Sequence, residues 1–267
     1  MDHVSNHQRL NRAMWDERVP IHLASPYYDL KSFRDNPDSL RDFEPDQLGD
    51  VTGKSLLHLQ CHIGLDTLSW AGHGAQVTGL DFSPAATAAA QNLADEIGVA
   101  AEFVTSDVYE APAALDGRRF DIVYTGIGAL CWLPDINRWA QTVAELLNDD
   151  GVLYLVEFHP AGDILDDATG SHIVGDYFND EAAVYEYNGT YADTASRTRH
   201  NLQVMFSHTL GSVLTAVADA GLRLELFTEY PYTLFRRFEN LHADESGRFH
   251  PTTAAKAPLM YSLRARA

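Results

Sequence analysis

Two aspartates, Asp81 and Asp107, stand where an alternating α/β chain places the residues that face a ligand. Asp81 closes the apolar run "AQVTGLD", 17 positions after Gly64, and precedes the helical stretch "SPAATAAAQNLADEIG". A carboxylate at such a strand end can accept hydrogen bonds from both hydroxyls of an adenosine ribose. Its structural alternative is to help cap the helix that follows. Asp107 ends "VTSD", from where a side chain reaches an adenine exocyclic amine or merely turns the chain. Gly64 lets the backbone approach a ligand at the start of a helix. The turn before it reads Gln60-Cys61-His62-Ile63-Gly64-Leu65, so no Gly-x-Gly-x-x-Gly pattern is present.

The elements that must position these groups are legible as a pattern. "SLLHL" is an apolar run too short for a helix, which predicts a strand covered on both faces. "LDTLSWAG" predicts a helix, and "AQVTGLD" a second strand. Ser83 and Pro84 then open a helix that Gly98 ends. "AEFVTSD", "FDIVYTG" and "VLYLVEFH" predict further strands, with a helix from "DINRWAQTVAELLNDDG" closing at Gly151. Alternation of this kind implies a parallel sheet with helices on both faces, and ligands bound beyond the carboxyl ends of its strands. Residues 6–18 predict an N-terminal helix. Asn188-Gly189 within "AVYEYNGTYAD" suits a two-residue hairpin turn. Thr209 and Gly221 bracket a last helix, and "LRLELFTEY" and "PLMYSLRARA" two last strands.

The 267 residues can bury a sizeable core. A formal net charge of −19 argues against nucleic acid and anionic membrane surfaces as partners. No apolar run approaches the ~20 residues of a membrane span, the N-terminus has no signal-peptide pattern, and Cys61 and Cys131 make no disulfide framework. A cytoplasmic location is the expectation. No metal-ligand spacing is evident, and the oligomeric state is open.

With Gly64, Asp81 and Asp107 in order at three strand ends, the chain resembles the class I S-adenosylmethionine-dependent methyltransferases, in particular their small-molecule branch. The resemblance covers about residues 54–159 well and the remainder loosely. In that family the first strand and turn commonly read hydrophobic-hydrophobic-Asp-hydrophobic-Gly-Cys-Gly-x-Gly. Here His58 stands at the Asp, Gln60 at the first Gly, Cys61 at the Cys, His62 at the second Gly and Gly64 at the third. "LHLQCHIGLDTL" looks like a variant of that motif found in one bacterial subgroup. The resemblance implies a Rossmann-like seven-stranded, mostly parallel sheet with an antiparallel last strand. It implies S-adenosyl-L-methionine as cofactor, leaving S-adenosyl-L-homocysteine, with no metal. Gln60, Cys61, His62, Gly64, Asp81, Phe82, Ser83, Asp107, Val108, Thr125 and Gly126 are the cofactor-binding candidates that follow from it. "TGIGALCWLPD" would line the methyl-transfer site.

The expected reaction is in-line transfer of a methyl group to an O or N atom of a small molecule, S being less favoured. A base is needed only when the acceptor arrives protonated. His208 and His159 are the candidate catalytic groups, each with a structural role as its alternative. Trp15, His22, Tyr27, Tyr28, Trp132 and Tyr191 are the candidate substrate-binding residues, aromatic faces being suited to a sulfonium or ammonium. Residues 1–45 are expected to form a lid and 46–267 the main domain, with a cap insertion at about 160–207. That insertion holds eight acidic residues and no Lys or Arg between Pro160 and Ser196, either as a solvated face or to favour cationic acceptors. Deleting residues 1–45 is expected to abolish cofactor retention. The competing readings are a non-catalytic protein that binds the same cofactor, and an NAD-dependent oxidoreductase. The second lacks both the glycine pattern and a Tyr-x-x-x-Lys.

Overall fold

A computed structural model describes residues 6–253 and 256–267. Three helices lead in: α1 (Asn6–Ala24), α2 (Leu30–Asp35) and α3 (Phe43–Leu48). An alternating series follows, made of β1 (Ser55–Leu59), α4 (Leu65–Gly72), β2 (Gln76–Asp81), α5 (Pro84–Ile97), β3 (Ala101–Thr105), the single turn α6 (Ala111–Ala114), β4 (Phe120–Thr125), α7 (Ile136–Leu146) and β5 (Leu147–Phe158). After β5 come the two-stranded ribbon β6 (Ala183–Glu186) and β7 (Leu202–Met205), then α8 (Leu210–Asp219) and β8 (Arg223–Tyr230). A small pair, β9 (Leu241–Ala243) and β10 (Phe249–Pro251), precedes β11 (Met260–Arg266).

Seven of these strands form one sheet in the order β3-β2-β1-β4-β5-β11-β8. β11 is antiparallel to both neighbours, while β1 to β5 pair in parallel. Strand order reverses between β1 and β4, which places the crevice of an open α/β sheet at their carboxyl ends. The register brings those ends level: Leu59 lies beside Leu80 and Thr125, and Asp81 beside Thr105.

Apolar residues alternate between two layers because successive side chains of a strand face opposite ways. Leu57 and Leu59 pack with Trp139 and Val143 of α7 and Val213 and Val217 of α8. Leu56 packs on the other face with Trp70 of α4, Tyr124 and Tyr154. α5 is bounded as its sequence dictates. Ser83 accepts from Ala86 N at 3.1 Å, and Gly98 ends the helix with φ +71°.

Three local expectations are corrected. α1 runs on through Pro20 to Ala24. α7 stops at Leu146 and β5 starts at once, so Gly151 lies inside a long strand rather than after a helix. Asn188-Gly189 does not make a two-residue hairpin. β6 pairs instead with the distant β7, and Asn188 Oδ1 accepts from Thr198 N at 3.1 Å across the loop that joins them. An Asn-Gly pair fixes a local turn, but here side-chain hydrogen bonds absorb it into a long connection.

Candidate functional site

The turn after β1 carries the most unusual backbone of the crevice. Gln60 and His62 both take left-handed conformations, at φ +57° and +51°. Those angles are natural to glycine and cost a side-chain-bearing residue on the order of 1–3 kcal/mol. Gln60 Nε2 donates to Ala129 O at 2.9 Å, bridging to the segment after β4, while its Oε1 is buried without a hydrogen-bond partner. Cys61 points inward, its sulfur near the α-carbon side of Gly79, and burial pushes its thiol well up. Gly64 has no room for a side chain, whatever its place beside a ligand. A Cβ there would lie 2.7 Å from Ala90 Cβ and 2.8 Å from the Phe103 ring.

At the end of β2, Asp81 accepts from His62 N at 2.8 Å and Ser83 N at 2.9 Å. It therefore ties the cofactor-type turn to the next helix. Burial raises its pKa to about 6, against the pull of those backbone donors, and Asp16 adds to the rise. Asp107 caps the turn after β3, accepting from Tyr109 N at 2.9 Å. α1 reaches both places: Gln8 Nε2 donates to Asp107, and Asp16 accepts from the Ser83 hydroxyl. Phe82 and Val108 flank the two acids in sequence, and Val108 is buried.

Trp15, His22, Tyr28, His62, Trp132 and Tyr191 come together above the turn. The Trp15 ring lies edge-on to those of His62 and Trp132, both at 5.3 Å, and 6.4 Å from Tyr191. His22 Nδ1 sits 3.0 Å from His62 Nε2, and His22 Nε2 2.6 Å from Thr190 Oγ1. Tyr28 hydrogen-bonds Tyr191 hydroxyl to hydroxyl and approaches His62 Nδ1 at 3.5 Å. Tyr27 stacks edge-on to Tyr28 and Tyr191. Burial lowers the pKa of His62 to about 3 and of His22 to about 4, so both rings are neutral at pH 7. Every substrate-binding candidate from the sequence thus falls in one cluster, joined by a loop residue expected to touch cofactor.

The remaining candidates sit elsewhere. Thr125 ends β4 with its hydroxyl buried and unpartnered, next to Gly126. His159 caps a short turn, its Nδ1 accepting from Ala161 N at 3.0 Å, and its Nε2 lies 3.0 Å from Glu229. His208 bonds Leu133 O at 2.8 Å and so fastens the stretch after β4. Neither ring contacts the aromatic cluster. Cys131 donates to Gly128 O at 3.6 Å and not to Cys61. Among the described residues, no group of three or more His, Cys, Asp and Glu is arranged to hold a metal ion.

Several participants escaped the sequence reading. Asn11 pairs with Val204 of β7 through both its amide groups, at 2.8 Å each, and so acts as a strand neighbour. Arg18, 3% exposed, donates to Met14 O, His200 O and Tyr187 O. With Trp15 and His22 they form one stripe at helical spacing, a polar face that a search for apolar periodicity passes over. Glu157 of β5 accepts from the backbone N–H groups of Gly128, Ala129, Leu130 and Phe158, and burial still raises its pKa to about 7. Below the turn, His58 bonds Thr67 at 2.8 Å, and Arg41 pairs with Asp66 and the buried Glu44.

This sheet order and crevice define the fold of the class I S-adenosylmethionine-dependent methyltransferases, and residues 57–153 match the family described as a methyltransferase domain. The chain is similar to a ubiquinone biosynthesis O-methyltransferase of Glaesserella parasuis serovar 5 (strain SH0165), 27% identical over 158 residues, covering 57% of this chain and 61% of that protein. A protein of the same name from Salmonella paratyphi A (strain ATCC 9150 / SARB42) is 31% identical over 137 residues, covering 49% and 55%. The chain therefore spans only 55–61% of the length of these two relatives. In fold it is similar to the CcbJ methyltransferase of Streptomyces caelestis, with a TM-score of 0.61 at 13% identity over 96% of this chain and 98% of that one. An S-adenosylmethionine-dependent methyltransferase of Mesorhizobium loti gives 0.54 at 19% identity, over 83% and 94%. The residues present fit that cofactor. Two carboxylates suit its hydroxyls and amine, and the orphaned Gln60 Oε1 and Thr125 Oγ1 offer polar contacts at the crevice between β1 and β4.

Proposed function

We propose that this protein is an S-adenosylmethionine-dependent methyltransferase that transfers a methyl group to an oxygen or nitrogen atom of a small molecule. One observation carries the reading: the left-handed turn at Gln60 and His62 is clamped to Asp81 at the level where β1, β2 and β4 end. Asp81 would accept from the ribose hydroxyls and Asp107 from the adenine amine, once Gln8 and Asp16 of α1 give way. Gln60 and Thr125 would hold the methionine end, with Gly126 beside them. Bound there, the cofactor supplies a methyl group already activated by its sulfonium charge. The protein then has to orient the acceptor and exclude water, a role this reading gives to α1, Trp132 and the loop carrying Tyr191.

The O-methyltransferase names of the curated relatives favour oxygen. Of the expected lid 1–45, residues 6–45 serve in this reading as lid and the insertion at about 160–207 as cap; residues 1–5 lie outside the described residues. Calorimetry with S-adenosylmethionine, S-adenosylhomocysteine and NAD tests the cofactor, followed by turnover on a panel of hydroxyl and amine acceptors. Binding of the first two without NAD, plus turnover, is the expected result. NAD binding alone, or tight cofactor binding with no transfer to any acceptor, would overturn it.

A further inference from the structure

Glu157 holds a buried carboxylate at the edge of the crevice. It is 6% exposed and lies on β5 beside Tyr261 of β11, two residues beyond Leu155, the partner of Thr125. At the rise of a strand that is about 7 Å past the end of β4. Its oxygens accept from Gly128 N at 2.6 Å, Ala129 N and Leu130 N at 2.9 Å, and Phe158 N at 2.6 Å. Among the described residues no basic side chain pairs with it. The titratable groups around it are Cys131, Tyr261 and His159. Burial keeps the first two neutral and lowers the pKa of the third, which pairs with Glu229. Beyond Cys131, Asp163 is engaged by Arg237. A buried charge without a counter-charge is costly, and backbone donors offset only part of that cost.

This charge has a path to the turn after β1. A single peptide unit carries both Leu130 N–H, which donates to Glu157 at 2.9 Å, and Ala129 O, which accepts from Gln60 Nε2 at 2.9 Å. The other end of the same Gln60 amide, Oε1, is buried and unpartnered. Carboxylate, peptide and side-chain amide are thus hydrogen-bonded head to tail, and such a chain polarises toward its free end. That end is an acceptor, where the proposed function puts the methionine part of the donor.

We propose that Glu157 is a positioning residue that, through the Ala129–Leu130 peptide and the Gln60 amide, makes the donor pocket select for the positive charge of a sulfonium. The inference rests on the methyltransferase reading and adds to it a means of telling donor from spent donor. S-adenosylhomocysteine shares the adenosine, ammonium and carboxylate of S-adenosylmethionine but has a neutral sulfur. Contacts to the shared parts cancel when the two are compared, which leaves the charge that Glu157 supplies. Two unit charges ~10 Å apart in a protein interior interact strongly enough to change an affinity by about tenfold. The spent donor lacks that attraction, so its exchange for a fresh one is favoured.

The test measures the affinity of the full chain for S-adenosylmethionine, S-adenosylhomocysteine and sinefungin, which has a protonated amine in place of the methylated sulfur. Glu157→Gln should lower the preference for the two cationic ligands over S-adenosylhomocysteine by about tenfold. Equal weakening of all three would make Glu157 a packing residue and overturn the proposal. The unaltered chain gives an independent arm. Burial raises the Glu157 pKa to about 7, so the carboxylate is charged above that pH and loses its charge below it. The preference for sinefungin over S-adenosylhomocysteine should therefore fall from about pH 8 to about pH 6, and Glu157→Gln should remove that step. Protonation of Asp81 at about pH 6 acts on the adenosine that both ligands share and drops out of the ratio. A level preference across this range overturns the proposal even if the variant fails to fold. Binding with an unmoved preference sinks this inference alone; no binding of any of the three ligands would sink the underlying function with it.

Discussion

Asp81 has two partners already and is asked to take two more. Its pKa, raised to about 6 by burial, means that the folded protein holds this proton between about pH 4 and 6 while an unfolded chain has released it. Its contribution to stability is thus greatest below about pH 4 and is lost as pH rises through 6. Cofactor binding runs the other way, because a protonated carboxyl gives up an acceptor site. Affinity for S-adenosylhomocysteine should weaken as pH drops below about 6 and level off above it. Asp81→Asn should cost ~10-fold or more at pH 8 and erase that pH step, as calorimetry across the range would show. An unchanged affinity would remove the strongest residue of the site. Gly64 answers to packing. Gly64→Ala should lower stability by about 3 kcal/mol, combining a strained φ of +81° with overlap onto Ala90 and Phe103. Denaturant melts that show less than about 1 kcal/mol would mean the helices α4 and α5 can part to admit a methyl group.

At the scale of elements, the central strands and their helices could be followed in the sequence because caps and apolar runs agree there. Ser83, Pro84 and Gly98 bound α5 by local chemistry alone. The segments over the crevice were harder, since their order comes from contacts between distant residues. Asn188-Gly189 has the composition of a tight turn, yet β6 finds its partner at Leu202–Met205. The helix expected over residues 6–18 runs on through Pro20 to Ala24. The aromatic residues of the cluster were recognisable one by one as candidates. The two histidines that join them were not recognisable as a pair, because a contact between residues 22 and 62 leaves no mark in either neighbourhood. Arg18 holds α1 to the loop between β6 and β7 by donating to two carbonyls across that interface, Tyr187 O and His200 O. Arg18→Met should speed hydrogen exchange at 187–205 and weaken S-adenosylhomocysteine several-fold, while the sheet exchanges as before. Slow exchange in that loop would show that Asn11 and Glu17, whose carboxylate accepts from Arg199 N and His200 N, suffice to hold it.

For the molecule as a whole, the acidic balance and the crevice point to different scales of selection. A net charge of −19 acts over the whole surface. Among the described residues no helix is long and apolar enough to cross a membrane. In the proposed function the choice of small molecule would fall to the few rings under α1. The hold that α1 takes on the two strand-end caps, through Gln8 on Asp107 and Asp16 on Ser83, sets a sequence of events in time. In the proposed function Gln8 and Asp16 hold the two caps where the donor's adenosine end would bind. The donor would then enter first, with α1 lifted from both, and its spent form would leave last, before they re-engage. Steady-state kinetics should therefore be ordered. S-adenosylhomocysteine should compete with S-adenosylmethionine at every acceptor concentration, and the methylated product should inhibit without competing with it. A random order, with either reactant able to bind first, would mean that α1 opens and closes independently of what lies beneath it.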